Sequence, residues 1–244
     1  LELFSMGVGN YTEDDVKATT QSFTGWSFAS AIPGSTPYGY MTTHFEYGAE
    51  EHDDGEKTFL GETGRFNGED IIDVIVKQPA TARFISRKLY DFFVADEPPV
   101  ASWNEVAPQN PEAIDTLSNI YLSTEGQIRP MLKALFNSDF FKQARFKKVK
   151  SPAELVTGLI RFGGKFPFPD TGLTKYNNAA GGMGQTLINP PTVEGWHTGP
   201  EWIDGGTLNE RINFAVNEID DSSSPGIQDM ISRLSSSKSV LEPE

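Results

Sequence analysis

Apolar residues recur every three to four positions along most of the chain, a spacing typical of helices that bury one face. The clearest case runs from Pro79 to about Ala95, and its apolar positions are Ile85, Leu89, Phe92 and Phe93. The same spacing predicts helices at about 12–25, 67–78, 111–121, 128–136, 151–162 and 207–219. The chain is therefore predicted to be mainly α.

Capping signals mark the starts of several of these helices. Three pairs have the spacing of a capping box, in which a residue and its third successor cap each other: Thr12 with Asp15, Ser151 with Glu154, and Thr207 with Glu210. Asn110 precedes Pro111 in a cap-then-proline start, and Pro79 suits a first helical position. These signals predict where the helices begin.

Two segments alternate as strands do, Thr43–Tyr47 and Lys57–Leu60. The acidic stretch between them contains Asp54 and Gly55, a pair that favours turns. We therefore predict a small β-hairpin at about residues 43–61, formed by these two strands.

From residue 163 to 206 the composition changes to glycine, proline, asparagine and tryptophan, which predicts a long irregular loop region. The serine-rich tail after Asp220 is predicted to fray at its end. The expected architecture is one multi-helix globular domain over residues 1–244 that contains the small β-hairpin and this Gly/Pro/Trp-rich loop region.

Charge and composition exclude several classes of function. The chain has 34 acidic and 20 basic residues, and its net charge of −14 repels phosphate backbones and anionic lipid. Nucleic acid is therefore not an expected partner. One basic cluster, formed by Arg145, Lys147, Lys148 and Lys150, is either an anion-binding site or a solvated face.

Other chemistry is excluded by missing motifs. The chain has no cysteine, which rules out thiol nucleophiles, thiolate metal sites and disulfides. No run approaches the roughly 18 apolar residues that a membrane span needs. The glycines at 7–9 and 181–184 lack the strand-to-helix context of a nucleotide-binding motif.

Several segments, in the same order, resemble blocks of a bacterial family, the domain of unknown function 1800 family. They are LELFSMGVGNYTEDDVKATTQSFTGW at 1–26, HDDGEKTFLG at 52–61, QPATARFISRKLYDFFV at 78–94, KVKSPAELV at 148–156, MGQTLINPPTVEGW at 183–196 and TLNERINF at 207–214, together with Trp202. On these blocks the chain is identified as a member of that family.

The resemblance implies three expectations but no activity. Family members usually carry a further helical region upstream, so the chain is expected to be a fragment that lacks it. Members are commonly exported, which implies a periplasmic or extracellular location. Their genes often neighbour those of the domain of unknown function 1501 family, so a protein of that family is an expected partner.

The segment His52–Gly61 is the first candidate site. A turn explains Asp54 and Gly55, but it has no need of the His52 imidazole. The alternative is an acid/base or metal site, in which His52 and Asp53, with His44, bind a divalent metal and leave one position open for water. The spacing does not fit a calcium loop of the EF-hand kind.

The second candidate site lies in the irregular region, at Trp196, His197 and Trp202. Aromatic rings on such a loop suit stacking against sugars, and His197 could act as an acid or a base. Tryptophans that bury the loop against the core would give the same sequence pattern.

The third candidate site is the arginine pair Arg83 and Arg87, which lie one helical turn apart. Two guanidinium groups at this spacing could grip one carboxylate or sulfate. Salt bridges within the protein are the alternative.

These candidates support two hypotheses of function. The preferred one is an exported accessory or scaffold protein that binds a glycan or a partner protein through the loop from Trp196 to Trp202. The alternative is an exported, metal-assisted hydrolase that acts on an extracellular anionic polymer or carbohydrate. The hydrolase requires His52, Asp53, His197 and the arginine pair to converge in one pocket.

Overall fold

The computed structural model of the protein describes residues 1–30, 43–164 and 173–237. The chain divides into two compact units. The first unit contains Leu1–Val94 and Val100–Gln143, and the second contains Ala95–Pro99 and Ala144–Glu244. Both are mainly helical, which confirms the predicted fold class. That residues 1–244 form one domain stays a prediction, because the division into compact units does not test it.

The first unit contains six α-helices in its described part: α1 (Glu13–Ser22), α2 (Gly68–Val76), α3 (Pro79–Phe93), α4 (Pro111–Ser123), α5 (Ile128–Asn137) and α6 (Asp139–Lys142). A π-helical turn, Glu2–Met6, precedes α1, and 3-10 turns lie at Ala49–Glu51 and Val100–Ser102. The predicted caps at Thr12 and Asn110 are confirmed, and Pro79 begins α3 as expected. Local signals therefore set these helix starts.

Two clusters of buried side chains hold the first unit together. Between α3 and α4 the buried residues are Ala82, Phe84, Tyr90, Ala113, Ile114 and Leu117. A separate cluster joins α1, α2 and the segment around Phe59, and its members are Ala18, Phe59, Ile71 and Val74. The buried face of α3 therefore differs from the predicted one, since Ile85, Leu89 and Phe93 are only partly buried and Phe92 is 69% exposed.

In the described part of the chain, four short strands form two antiparallel pairs: β1 (Trp26–Ser30) with β2 (Thr43–Tyr47), and β3 (Lys57–Phe59) with β4 (Glu62–Gly64). Both strands expected from the sequence exist, but their predicted pairing with each other was wrong. Gly25 explains why β1 begins where it does. Its φ is +79°, and a Cβ there would lie 2.6 Å from the carbonyl oxygen of Gly48, so the chain passes too close for any other residue.

The second unit contains α7 (Pro152–Gly163), α8 (Thr174–Gly182), α9 (Gly205–Ile219) and α10 (Pro225–Ser237), with a 3-10 turn at Gly199–Trp202. The capping box at Ser151 is confirmed. The capping box predicted between Thr207 and Glu210 was wrong. Asp204 is the N-cap residue of α9, and Thr207 is the second member of its capping box. The tail after Asp220 forms α10 where it is described, and its last residues, 238–244, lie outside the described range.

The predicted irregular region of residues 163–206 contains α8, although residues 165–172 lie outside the described ranges. The helix forms despite its glycines because Tyr176, Ala180 and Met183 pack against Val156 of α7. Tertiary packing thus overrides the weak local preference for helix. Of the helices in the described ranges, none combines the length and the apolar character that a membrane span requires.

Asp15 connects the start of α1 to the β3–β4 pair. Its carboxylate accepts hydrogen bonds from the Thr12 amide at 2.8 Å, the Thr12 hydroxyl at 2.7 Å and the Leu60 amide at 2.7 Å. Burial raises the pKa of Asp15, but these hydrogen bonds outweigh it and leave the pKa below its ordinary value of 3.8. The stabilisation is therefore present at neutral pH and is lost as the pH falls through the lowered pKa.

We expect Asp15→Ala to lower the free energy of unfolding at pH 7 by about 1–2 kcal/mol, the usual range for a lost helix cap. The loss should be smaller at acidic pH, because the stabilisation by the ionised carboxylate is lost as the pH falls through the lowered pKa of Asp15. Urea denaturation at the two pH values measures this difference. Equal losses at both would contradict the proposed role of the ionised carboxylate.

Candidate functional site

The His52 imidazole is part of the structural framework of the first unit. Its side chain is 5% exposed, and Nδ1 lies 2.9 Å from the carbonyl oxygen of Thr24. Because a carbonyl only accepts, Nδ1 is the nitrogen that carries the proton. Nε2 lies 3.9 Å from the Asp54 carboxylate, and the ring contacts Tyr47. This hydrogen bond fixes the segment after β2 to the residues that follow α1. It explains the histidine at this position, which a turn alone does not require.

Lys57 closes the same loop from the other side. Its side chain is 1% exposed, and Nζ donates hydrogen bonds to the carbonyl oxygens of Asp53 and of Gly55, the latter at 3.0 Å. The Asp53 amide donates to Thr24 Oγ1 at 2.8 Å, and the Asp53 carboxylate accepts from the Gly55 amide at 2.8 Å. The backbone of this segment is therefore held by hydrogen bonds from its own polar groups and from Thr24.

The predicted metal site stays a prediction. His44 lies on β2 opposite Ala29 and is exposed. Across residues 1–30, 43–164 and 173–237, no three histidine, aspartate or glutamate side chains lie close enough to hold a metal ion. His52 and Asp53 belong to the first unit and His197 to the second, so the hydrolase hypothesis also stays a prediction.

The tryptophan loop of the second unit divides into a buried ring and a partly exposed one. Trp202 is buried beside Gly184, so it is a core residue. Trp196 is half-buried, and its Nε1 donates a hydrogen bond to the Thr186 carbonyl oxygen at 3.1 Å. His197 is exposed, with Nδ1 3.3 Å from Glu201 Oε2. Of the two tryptophans, Trp196 is the one with surface available for a ligand.

The first unit carries a pocket of about 170 Å³ between the loop after Met6, α3 and the loop before α4. We call it the α3 pocket. The side chains that give it chemical character are Asn10, Arg83, Phe84, Arg87, Trp103 and Asn104. The predicted arginine pair thus lies in one concave site, together with an aromatic wall and two amides.

Arg87 builds the wall of the α3 pocket. Its side chain is buried, and Nη1 donates to the carbonyl oxygens of Val106 at 2.9 Å and of Trp103 at 3.4 Å. The guanidinium also lies 4.7 Å from the centre of the Trp103 ring, a cation–π distance. Arg87 therefore holds the loop around Trp103 in place, and the Trp103 ring in turn packs against Phe84.

Arg83 is the arginine that a ligand can reach. Its side chain is 53% exposed, and Nη1 pairs with the Asp115 carboxylate, which is itself largely exposed. An exposed pair of this kind is weak and exchangeable. Asp115 thus occupies the position in which a carboxylate from a ligand could bind Arg83.

On the other rim, Asn10 orders the loop that faces α3. Its Nδ2 donates a hydrogen bond to the Met6 carbonyl oxygen at 2.8 Å, across a chain that turns at Gly7 with φ +76°. Asn10, Trp103 and Asn104 were missed in the sequence because nothing in their spacing connects them to α3. The stacking of Trp103 on Arg87 is a contact over 16 residues that only the fold reveals.

The fold and this pocket define a mainly helical protein with a small cavity lined by arginine and tryptophan. The chain belongs to the DUF1800 family, described as proteins of unknown function, which matches residues 1–239. The resemblance seen in the sequence is thereby confirmed. No match was found among curated proteins or among solved structures.

Proposed function

We propose that the protein is a binding protein that recognises an acidic sugar through the α3 pocket. One observation carries the proposal: the exchangeable guanidinium of Arg83 and the ring of Trp103 line the same small cavity. A guanidinium suits the carboxylate or sulfate of such a sugar, and an aromatic wall suits the apolar face of its ring. The amides of Asn10 and Asn104 add groups that can bond to hydroxyls.

Arg83 and Arg87 have different partners, and this difference supports a site that is formed before a ligand binds. Arg87 is already saturated by main-chain carbonyls and by the Trp103 ring, so the pocket wall does not depend on the ligand. Such preorganisation lowers the entropy lost on binding. The ligand's acidic group then replaces Asp115 on Arg83, an exchange of one weak, solvated ion pair for another with additional ring contacts.

This proposal keeps the preferred hypothesis, a glycan-binding accessory protein, but moves its site from the Trp196 loop to the first unit. An exported location and a partner from the DUF1501 family remain proposals of the same kind, supported by the family resemblance. In such a role the protein would hold acidic glycan chains outside the cytoplasm.

Calorimetric titration with galacturonate oligosaccharides tests the proposal, with galactose oligosaccharides of equal length as the neutral reference. We expect the acidic sugars to bind more tightly. Arg83→Gln should weaken that binding by about 10–100-fold, because a charged hydrogen-bond donor is lost. Asp115→Asn should strengthen it, because Arg83 is released from its internal partner.

Arg65→Gln is the matched control, since Arg65 is an exposed arginine of the same unit that does not line the pocket. Its titration should equal that of the wild type. Equal affinity for acidic and neutral sugars, or an unchanged affinity in Arg83→Gln, would refute the proposed function.

A further inference from the structure

Phe146 is an aromatic residue that projects from the surface of the second unit. Its side chain is 88% exposed. Its φ is +66°, in the left-handed region where a bulky residue is an outlier. Folding gains nothing from this ring in the way of burial, and a glycine or asparagine would adopt the same backbone with less strain. A strained and exposed aromatic residue indicates a binding role.

The charges around Phe146 indicate what it binds. Residues 140–153 contain no aspartate or glutamate, although the whole chain has a net charge of −14. Within this stretch Arg145, Lys147 and Lys150 are exposed. The Arg145 guanidinium lies 4.7 Å from the centre of the Phe146 ring, so a positive charge accompanies the apolar tip. We call residues 145–150 the basic loop.

The base of the basic loop is anchored, so its tip is presented in a defined direction. Asp96 anchors this base through three contacts. Its carboxylate pairs with Lys148 at 3.0 Å and accepts a hydrogen bond from the Val149 amide at 2.7 Å. Its own amide donates a hydrogen bond to the Lys147 carbonyl oxygen at 3.4 Å. Lys148 is therefore structural, and Arg145, Lys147 and Lys150 are the cations available to a partner.

We propose that the basic loop docks on an anionic lipid surface, with Phe146 inserted among the lipids and Arg145, Lys147 and Lys150 at the phosphate groups. A projecting aromatic tip with cations at its base is the arrangement that interfacial binding requires. The site is independent of the α3 pocket, which belongs to the first unit.

The acidic character of the whole chain gives this docking a distinctive salt dependence. At physiological ionic strength charges are screened within about 8 Å, so the remote acidic residues contribute little while the loop is in contact. At about 10 mM salt the screening length is roughly 30 Å, and the net charge of −14 then repels the membrane. Binding should therefore be strongest at intermediate salt concentration.

Cosedimentation with vesicles tests the proposal, using phosphatidylcholine alone or with about 30% phosphatidylglycerol. The full chain should bind only the anionic vesicles. Phe146→Asn should reduce the partition coefficient by about tenfold or more without lowering the free energy of unfolding, because asparagine tolerates a positive φ. The double variant Arg145→Gln with Lys147→Gln should reduce it by about 25-fold, roughly fivefold for each charge.

Two matched controls make the test specific. Ile188 is 95% exposed with φ +64°, but its neighbours Leu187 and Asn189 carry no charge, so Ile188→Asn removes an equally exposed, strained side chain. Arg129→Gln with Lys133→Gln removes the same charge from α5. Both control variants should bind as the wild type does.

Four outcomes would overturn the proposal. They are the absence of any preference for anionic vesicles, an equal loss of binding in the control variants, a loss of stability in Phe146→Asn that accounts for its weaker binding, and binding to an acidic peptide without binding to vesicles. The last outcome would identify an acidic protein as the partner instead.

Discussion

Replacing Lys57 by methionine should lower the free energy of unfolding by about 2–3 kcal/mol, the cost of removing a charged donor from two carbonyl groups at a buried position. Methionine fills nearly the same volume, so little of the loss comes from a cavity. The carbonyl oxygens of Asp53 and Gly55 converge on the Lys57 amine, and a methyl group in its place leaves them facing an apolar atom. Urea denaturation measures the change.

Lys17→Met is the control for Lys57→Met. Lys17 is 73% exposed and forms an exposed ion pair with Asp14, so its replacement should change stability by less than about 0.5 kcal/mol. A similar, small effect at Lys57 would show that the segment from His52 to Lys57 does not depend on the buried amine. The structural interpretation of this segment would then lose its main support.

The second large effect is expected at Arg87. Arg87→Met should lower the free energy of unfolding by about 2–4 kcal/mol, because the carbonyl oxygens of Trp103 and Val106 lose their buried donor and the Trp103 ring loses its contact with the guanidinium. The affinity for galacturonate oligosaccharides should also fall, because the pocket wall is displaced. Urea denaturation and calorimetric titration measure the two effects on one variant.

Substitutions at Arg83 and Arg87 distinguish a residue that contacts the ligand from one that positions the pocket wall. Arg83→Gln should weaken sugar binding with little loss of stability, since the ion pair of Arg83 with Asp115 is exposed. Arg87→Lys should resemble Arg87→Met, because an ammonium group cannot reproduce the planar fork that reaches two carbonyls and stacks on a ring. If Arg87→Lys keeps both stability and affinity, the wall-building role is wrong.

Much of the fold is encoded locally and was therefore predictable. Apolar period and capping residues located α3, α4 and α7, because each signal acts within a few residues of its partner. The pairing of β2 depended instead on contacts across the sequence. The hydrogen bond between His52 and Thr24 spans 28 residues, and no local pattern indicates it.

Helix α10 shows the limit of the same reasoning at the other end of the chain. Its serine-rich composition indicated no helix, but Ile227 is buried and Ser224 precedes Pro225 at the helix start; the final residues, which were predicted to fray, lie outside the described range. Tertiary burial of Ile227 supplies what the local composition lacks.

The candidate site was predictable only in part. The one-turn spacing on α3 identified Arg83 and Arg87, and both line one pocket. Their different roles followed from burial, which spacing does not give: Arg87 is enclosed by the loop that carries Trp103, and Arg83 remains at the rim. The sequence pattern also predicted a binding site in the loop from Trp196 to Trp202. The spacing of its aromatic residues does not distinguish Trp202, a core residue, from a ligand contact.

A sugar titration followed by NMR at the indole N–H groups of the four tryptophans reports directly on the α3 pocket. Binding in this pocket predicts that galacturonate oligosaccharides shift the Trp103 resonance in a saturable way, that galactose oligosaccharides do so far more weakly, and that Arg83→Gln needs about 10–100-fold more sugar for the same shift. A saturable shift at Trp196 with Trp103 unmoved, or no shift at any of the four, would contradict it.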